Sequence, residues 1–255
     1  MRGIVIGAGR GQRLMPTTAD APKCFTRIGD RRILDIVLSA LAGGGVEPIT
    51  FVGGYRIGDV AAAYPQLELV ENAHWATTNI LGSLMCAAHR MGAGFVASYA
   101  DIVYRRAPVA ACVAAPHDIT IVVDTDWRRR YVARSQHPPS DAEKVECAAG
   151  RVLRLHRDID PDAAYGEFIG VAKFTAAGAA ALQRAYAGAK ARCGDGPFRE
   201  AASVDRAYLI QLLQDMVEGG ATIGHVDTHG GYHEIDTQQD YDLVREAYAN
   251  GERWG

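Results

Sequence analysis

The sequence predicts an α/β fold in which a mainly parallel central sheet is flanked by helices. Three features predict it. Short strand-like runs alternate with amphipathic stretches along the chain, the first strand leads directly into a glycine-rich loop, and two later strands each end close to an aspartate. Hydrophobic residues make up 48% of the 255 positions and charged residues 22%, which is enough apolar material for a substantial core.

The first half of the chain is predicted to supply most of the parallel strands. Gly3-Ile4-Val5-Ile6 is the first, and apolar residues at helical spacing between Ile33 and Leu41 predict a helix that ends in a run of three glycines. Asp101 and Asp124 follow two of the later strands, at the carboxyl ends where ligands bind in open α/β sheets. Short apolar runs predict these later strands at 49–52, 68–70, 95–99 and 119–123.

The second half continues the alternation. We expect a loop at 194–202, where glycine and proline are frequent. The chain has no internal repeat, low-complexity segment or linker, so we expect a single domain over 1–255. The predicted elements of this half are strands at 151–155, 167–174 and 222–226 and helices at 176–192, 203–218 and 238–249.

Charge and cysteine content exclude several functional classes. The 27 basic and 30 acidic residues give a net charge of −3, which supplies no broad field for binding nucleic acid or anionic lipid. The five cysteines form no CxxC pair, which argues against a disulfide framework or a zinc site and favours a reducing compartment. No apolar run approaches the roughly 18 residues of a membrane helix. We expect a soluble, cytoplasmic protein with neither a nucleic-acid nor a membrane partner.

The loop after the first strand has the composition of an anion-binding site. In Gly7-Ala8-Gly9-Arg10-Gly11-Gln12-Arg13-Leu14, several backbone N–H groups can converge on a phosphate without obstruction by side chains. A P-loop would need a lysine and a hydroxyl residue directly after it, and a dinucleotide fingerprint would need its third glycine one position later. An ordinary glycine-rich turn is the structural alternative, and Arg13 with Pro22-Lys23 argues against it.

This loop, followed by Pro-Lys, resembles the sugar-phosphate nucleotidyltransferases, which join a nucleoside triphosphate to a phosphorylated small molecule. Downstream motifs narrow the resemblance to the LicC-type CTP:phosphocholine and phosphonate cytidylyltransferases, and it spans almost the whole chain. The motifs occur in the order of that family: Val52-Gly53-Gly54-Tyr55-Arg56, Glu71 to Ile80 with Ser83-Leu84, Tyr99 to Val103, Asp126-Trp127 with Tyr131, Ala142 to Val145, Gly166 to Gly170 and Tyr232 to Thr237.

The resemblance implies a Rossmann-like nucleotidyltransferase fold with a small acceptor-binding insertion roughly within 125–200. It also implies transfer of CMP from CTP to a small phosphonate or phosphomonoester, with release of pyrophosphate. The acceptors compatible with it are phosphocholine and aminoalkyl- or hydroxyalkyl-phosphonates. A homo-oligomer is compatible with the sequence as well.

The same resemblance assigns the nucleotide site. Arg13 and Lys23 are expected to hold the triphosphate in catalysis, and Asp101 and Asp236 are expected to hold Mg²⁺, which prefers carboxylate oxygens. A helix cap is the structural alternative for Asp236, because a predicted helix follows it directly. The remaining nucleotide contacts are expected at Gly7, Ala8, Gly9, Gly11, Asn79, Ser83 and Tyr99.

The acceptor site is expected to combine aromatic faces, a carboxylate and a lysine near the phosphates. Aromatic faces attract a quaternary ammonium, with Asp124 or Glu167 as the anion. The run Arg128-Arg129-Arg130 favours a phosphonate or a second anionic group on the acceptor instead. Core packing of the rings and a solvated basic edge are the structural alternatives. The expected acceptor residues are Trp127, Arg129, Tyr131, Lys144, Glu167 and Tyr232.

Two other functions remain open on the sequence. The first is a sugar-1-phosphate nucleotidyltransferase that uses dTTP, UTP or ATP. The second is a non-catalytic domain that senses nucleotides, although a sensor has no need to retain the metal ligands Asp101 and Asp236.

Overall fold

The computed structural model describes residues 1–255 and forms thirteen strands and eight helices. The strands are β1 (Arg2–Gly7), β2 (Arg27–Ile28), β3 (Arg31–Arg32), β4 (Ile49–Gly53), β5 (Glu68–Glu71), β6 (Phe95–Tyr99), β7 (Ile102–Tyr104), β8 (Ile119–Asp124), β9 (Lys144–Ala148), β10 (Arg151–Leu155), β11 (Gly166–Phe174), β12 (Ile223–Thr228) and β13 (Tyr232–Glu234). The helices are α1 (Ile33–Gly43), α2 (Ile57–Ala63), α3 (Ile80–Cys86), α4 (Arg106–Ala114), α5 (Arg128–Tyr131), α6 (Ala176–Cys193), α7 (Leu209–Glu218) and α8 (Gln238–Ala249).

Nine strands form one sheet in the order β5-β4-β1-β6-β11-β8-β12-β10-β9. The strands from β5 to β6 are parallel to one another, whereas β11 runs antiparallel to both of its neighbours. The α/β, Rossmann-like fold is therefore confirmed, with a more mixed sheet than predicted. Periodicity shows that a segment is a strand but not which way it enters the sheet.

The predicted elements are present, with one boundary that differs. The helix expected at 203–218 begins at Leu209, because Ala207 and Tyr208 have extended backbones. The carbonyl oxygens of Asp205 and Ala207 accept the N–H groups of Asn79 and Leu81 at the start of α3. No helix combines the length and the apolar character that crossing a bilayer requires.

The strand order brings distant parts of the chain to one edge of the sheet. β1 and β6 are parallel neighbours, so the glycine-rich loop and the segment that reaches Asp101 leave the sheet at the same end. The short antiparallel pair β7–β13 aligns Glu234 with Ile102, and the Ile235 N–H donates to the carbonyl of Asp101 at 3.0 Å. This pairing places Asp236 beside Asp101 although 135 positions separate them in the chain (236 − 101).

Candidate active site

A cleft of about 550 Å³ lies beyond the carboxyl ends of β1 and β6. A smaller cavity of about 220 Å³ adjoins it and shares part of its wall, including Arg13, Tyr99 and Asp236. The cleft brings together eleven of the residues predicted from the sequence: Gly7, Ala8, Gly9, Gly11, Arg13, Lys23, Asn79, Ser83, Tyr99, Asp101 and Asp236.

The glycine-rich loop wraps closely around Lys23. Gly11 has a φ of +70°, a conformation that favours glycine, and a Cβ there would lie 2.9 Å from the Lys23 Cβ. A Cβ on Gly9, in contrast, would have no neighbour within 4 Å. The Thr18 hydroxyl donates to the Gly11 carbonyl at 2.8 Å and holds the loop in this shape. The loop therefore has open space beside Gly9, whereas the Lys23 side chain packs against Gly11.

Lys23 joins the two aspartates at the centre of the cleft. Its Nζ donates to Asp101 Oδ2 at 2.7 Å and to Asp236 Oδ1, and Arg13 pairs with the other oxygen of Asp236. The side chains of Lys23 and Asp236 are only 11% and 8% exposed. Burial alone would lower the pKa of Lys23, but Asp101 and Asp236 outweigh it and raise that pKa. Burial would raise the pKa of Asp236, and Lys23 and Arg13 reverse this and lower it.

The two aspartates suit a divalent cation. Both carboxylates accept a hydrogen bond from the same ammonium group, so they converge on one point. Hard carboxylate oxygens in this arrangement match the donors that Mg²⁺ takes in phosphate-handling sites. A cation there would replace the Lys23 ammonium, which would then be free to contact a phosphate.

Asp236 does not itself cap the helix that follows it. Thr237 is the N-cap of α8, and Asp240 accepts the backbone N–H groups of Asp236 and Thr237 at 3.1 and 2.8 Å. Asp240 is completely buried and pairs with Arg134 at 3.0 Å. The carboxylate of Asp236 is thus left to face the cleft.

The far wall of the cleft is built by the start of α3. Asn79 caps this helix by accepting the Ile80 N–H at 2.9 Å, and Ser83 lies one turn further on the same face. The Asn72 amide donates to Thr78 at 2.8 Å and to Ser83 at 3.0 Å. Asn79 and Ser83 therefore lie in a fixed polar wall, and their contact with a nucleotide stays a prediction.

Several of the predicted acceptor residues lie outside both cavities. Trp127 and Tyr131 are buried and form a small core of their own, in which the Tyr131 hydroxyl donates to Glu167 at 2.6 Å. The Arg129 side chain is 83% exposed and contacts Asp126. Lys144 is buried, and its Nζ donates to the Pro139 carbonyl at 3.0 Å. Trp127, Tyr131 and Lys144 are therefore buried away from the cleft, and Arg129 points into solvent.

The arginine run does not present a free anion-binding surface. The Arg130 side chain is 8% exposed and pairs with both Asp124 and Glu167. Its guanidinium also lies 4.5 Å from the ring centroid of Tyr232, so one aromatic face in the second cavity is already covered by a cation. The expected preference for phosphonates that rested on this run therefore loses its support.

The second cavity is lined by charged residues that the sequence did not predict as part of the site. Arg157 stacks on Tyr208 at 3.9 Å and donates to Glu143 at 3.3 Å. The Tyr99 hydroxyl donates to Glu143 at 3.3 Å. Burial raises the pKa of Glu143 to about 7, although Arg157 opposes this. Strand alternation could have found Glu234, two positions before Asp236, since alternate residues share one face.

This arrangement places the chain among the α/β enzymes that transfer nucleotidyl groups. The chain belongs to the family of MobA-like NTP transferase domains, whose model matches residues 3–160. It is a nucleotidyltransferase, and the resemblance seen in its sequence motifs is confirmed.

Individual relatives cover different shares of the chain. The chain is 28% identical over 254 residues to the CTP:phosphoglutamine cytidylyltransferase of Campylobacter jejuni, a match covering 95% of this chain and 98% of that protein. It is 32% identical over 105 residues to the 2-aminoethylphosphonate cytidylyltransferase of Lancefieldella rimae, covering 39% and 42%. The solved CTP:phosphocholine cytidylyltransferase LicC of Streptococcus pneumoniae superposes with a TM-score of 0.75 at 18% identity, covering 97% and 98%. This last likeness shows a shared fold.

Proposed function

We propose that this protein is a CTP-dependent cytidylyltransferase that transfers CMP to a small phosphonate or phosphomonoester and releases pyrophosphate. The observation that carries the proposal is the convergence of the glycine-rich loop, Lys23 and both aspartates in one cleft, which a second cavity adjoins. The relatives support CTP as the nucleotide, since those from Campylobacter jejuni and Lancefieldella rimae are both named cytidylyltransferases.

Different residues of the chain then bind different parts of the nucleotide. The loop N–H groups and the side chains of Arg13 and Lys23 neutralise the triphosphate, while Asn79 and Ser83 lie on the side of the ribose and base. Mg²⁺ held by Asp101 and Asp236 would supply further charge neutralisation. In the structure both basic side chains form ion pairs with these carboxylates. They must therefore turn toward the phosphates when CTP binds.

The reaction requires no covalent enzyme intermediate. A phosphate or phosphonate oxygen of the acceptor attacks the α-phosphorus of CTP, the new P–O bond forms, and the bond to pyrophosphate breaks. That oxygen is already ionised at neutral pH, so no strong general base is needed. Positioning and charge neutralisation by Arg13, Lys23 and the loop carry the rate.

The second cavity is proposed to hold the tail of the acceptor. Glu143 and Glu234 favour an ammonium group there, whereas Arg157 is already paired with Glu143. The rings of Tyr208 and Tyr232 already carry an arginine each. Fewer aromatic faces are then free for a trimethylammonium, which favours an acceptor with a primary ammonium over phosphocholine.

A pyrophosphate-release assay tests the proposal. Each of CTP, UTP, dTTP and ATP is paired with 2-aminoethylphosphonate, a hydroxyalkylphosphonate, phosphocholine, phosphoglutamine and a sugar 1-phosphate in the presence of Mg²⁺. Turnover with CTP and a non-sugar acceptor, lost in Asp101→Asn, is expected. Turnover only with a sugar 1-phosphate and another nucleotide would instead establish the sugar-nucleotide enzyme, and no turnover with any pair would favour a sensor.

A further inference from the structure

His137, which the proposed reaction leaves unused, and Glu234, which lies where the acceptor's tail is proposed to bind, meet Asp236 in the second cavity. His137 and Glu234 each offer a ligand atom, and these atoms and an oxygen of Asp236 all lie within 4.8 Å of one another. The cluster combines one imidazole with two carboxylates. His137 lines only the second cavity, Asp101 and Lys23 line only the cleft, and Glu234 and Asp236 line both.

His137 is held in one orientation from outside this cluster. Its side chain is 2% exposed, and Nδ1 lies 3.3 Å from Oδ2 of the fully buried Asp240. Asp240 is itself fixed by the N–H of Thr237 and by Arg134. An Nδ1–H that donates to Asp240 directs Nε2 toward Glu234, at 3.6 Å from Oε2 and beyond hydrogen-bond range. Metal-ligating histidines commonly donate their other nitrogen to a carboxylate in this way.

The wall of the second cavity carries negative charge that a bound cation would neutralise. Asp141 and Glu234 contribute carboxylates to its wall that pair with no arginine. Its two arginines are already engaged, Arg13 with Asp236 and Arg157 with Glu143. An acceptor phosphate or phosphonate would therefore meet an excess of negative charge at the point where it must approach the nucleotide.

We propose that His137 Nε2, Glu234 and Asp236 form a second divalent-cation site on the acceptor side of Asp236. One imidazole and two carboxylates suit Mn²⁺, Co²⁺ or Zn²⁺, whereas the all-oxygen pair Asp101 and Asp236 suits Mg²⁺. The cation would neutralise the acceptor's phosphate or phosphonate oxygens. This role rests on the proposed function, but the binding of the cation does not.

The experiment titrates the metal-free protein with Mn²⁺ and measures the coupling of a bound nitrogen by pulsed EPR, with Co²⁺ absorption as a second readout. Wild-type protein is expected to show one imidazole nitrogen. His137→Gln should lose the nitrogen coupling and bind at least about tenfold more weakly. Glu234→Gln changes a side chain at the cavity wall, so it tests the site without removing the buried ring; it should weaken binding and keep the nitrogen coupling.

Two matched variants control for binding elsewhere. His229 is exposed and contacts Thr125, so His229→Gln should leave the spectrum unchanged. Asp101→Asn should keep the nitrogen coupling, because Asp101 is not part of this cluster. Nitrogen coupling that survives in His137→Gln, or that never appears in the wild type, overturns the site.

Turnover measured separately keeps the two proposals apart. Normal Mg²⁺-supported transfer together with no imidazole-bound cation would reject the second site and leave the proposed function standing. An imidazole-bound cation without transfer to any acceptor would do the reverse.

Discussion

Replacing Lys23 by methionine tests the central ion cluster most directly. The substitution keeps a long unbranched side chain and removes the charge that joins Asp101 and Asp236. Removing one partner of a buried pair typically costs about 3–5 kcal/mol. Arg13 still neutralises Asp236, and the Asp101 side chain is 30% exposed, so we expect a smaller cost than this, of about 2–3 kcal/mol. For a chain of this size that lowers Tm by about 5–10 °C in EDTA.

Magnesium should act differently on the two proteins. In Lys23→Met a divalent cation can bind between the two carboxylates without displacing an ammonium group. Without nucleotide, saturating Mg²⁺ should therefore recover most of the lost Tm in the variant and barely change the Tm of the wild type. Cytidylyl transfer should still fall by about 10²–10³, since the charge on the phosphates is lost.

Thermal melts with and without Mg²⁺, and pyrophosphate release, provide the measurements. Lys190→Met is the control, because Lys190 is 37% exposed, pairs with Asp205 at 2.7 Å and lies outside the cleft. It should change Tm little and show no response to Mg²⁺. An unchanged Tm of Lys23→Met in EDTA, or equal stabilisation of both proteins by Mg²⁺, would refute the reasoning.

Three further experiments, on Arg130, Gly11 and Glu143, test individual residues of the fold and the cleft. Arg130→Met leaves two buried carboxylates without their ion-pair partner and should lower the free energy of unfolding by about 3–5 kcal/mol in denaturant. Arg129→Met, at the exposed neighbouring position, should lower it by less than about 0.5 kcal/mol. Equal effects would contradict a structural role for Arg130. Gly11 and Gly45 both have a positive φ, of +70° and +79°, so replacing either by alanine should cost about 1–2 kcal/mol of stability. Only Gly11→Ala also crowds Lys23, so only this variant should bind CTP more weakly in calorimetry. The pKa of Glu143 is raised from 4.5 to about 7, so the folded protein binds this proton more tightly than the unfolded chain does. Stability should therefore fall by at most about 3 kcal/mol as the pH rises through that window. Glu143→Gln should abolish this fall, measured by thermal melts at pH 5 and pH 8.

Most strands and helices could be predicted from local patterns, and the exceptions share a cause. β7 and β13, which local patterns did not predict, are short and pair with each other although they lie far apart in the chain. The start of α7 was misplaced because Val204–Arg206 forms a separate short 3-10 helix and Ala207 and Tyr208 are extended, in a segment whose carbonyl oxygens accept N–H groups at the start of α3. Such contacts override the local propensity of a short segment.

By itself, the sequence predicted which residues gather in the cleft. The glycine-rich loop and Asp101 follow strands that local patterns predict, Lys23 follows that loop in the motif that carried the family resemblance, and all of them line the cleft. Only the tertiary structure decided which of the expected acceptor residues reach a cavity. Whether a ring or a cation faces a cavity depends on burial by segments far away in the chain. Arg130 is the clearest case, because the carboxylates of Asp124 and Glu167 approach it from two separate strands and turn an apparent anion-binding side chain into part of the core.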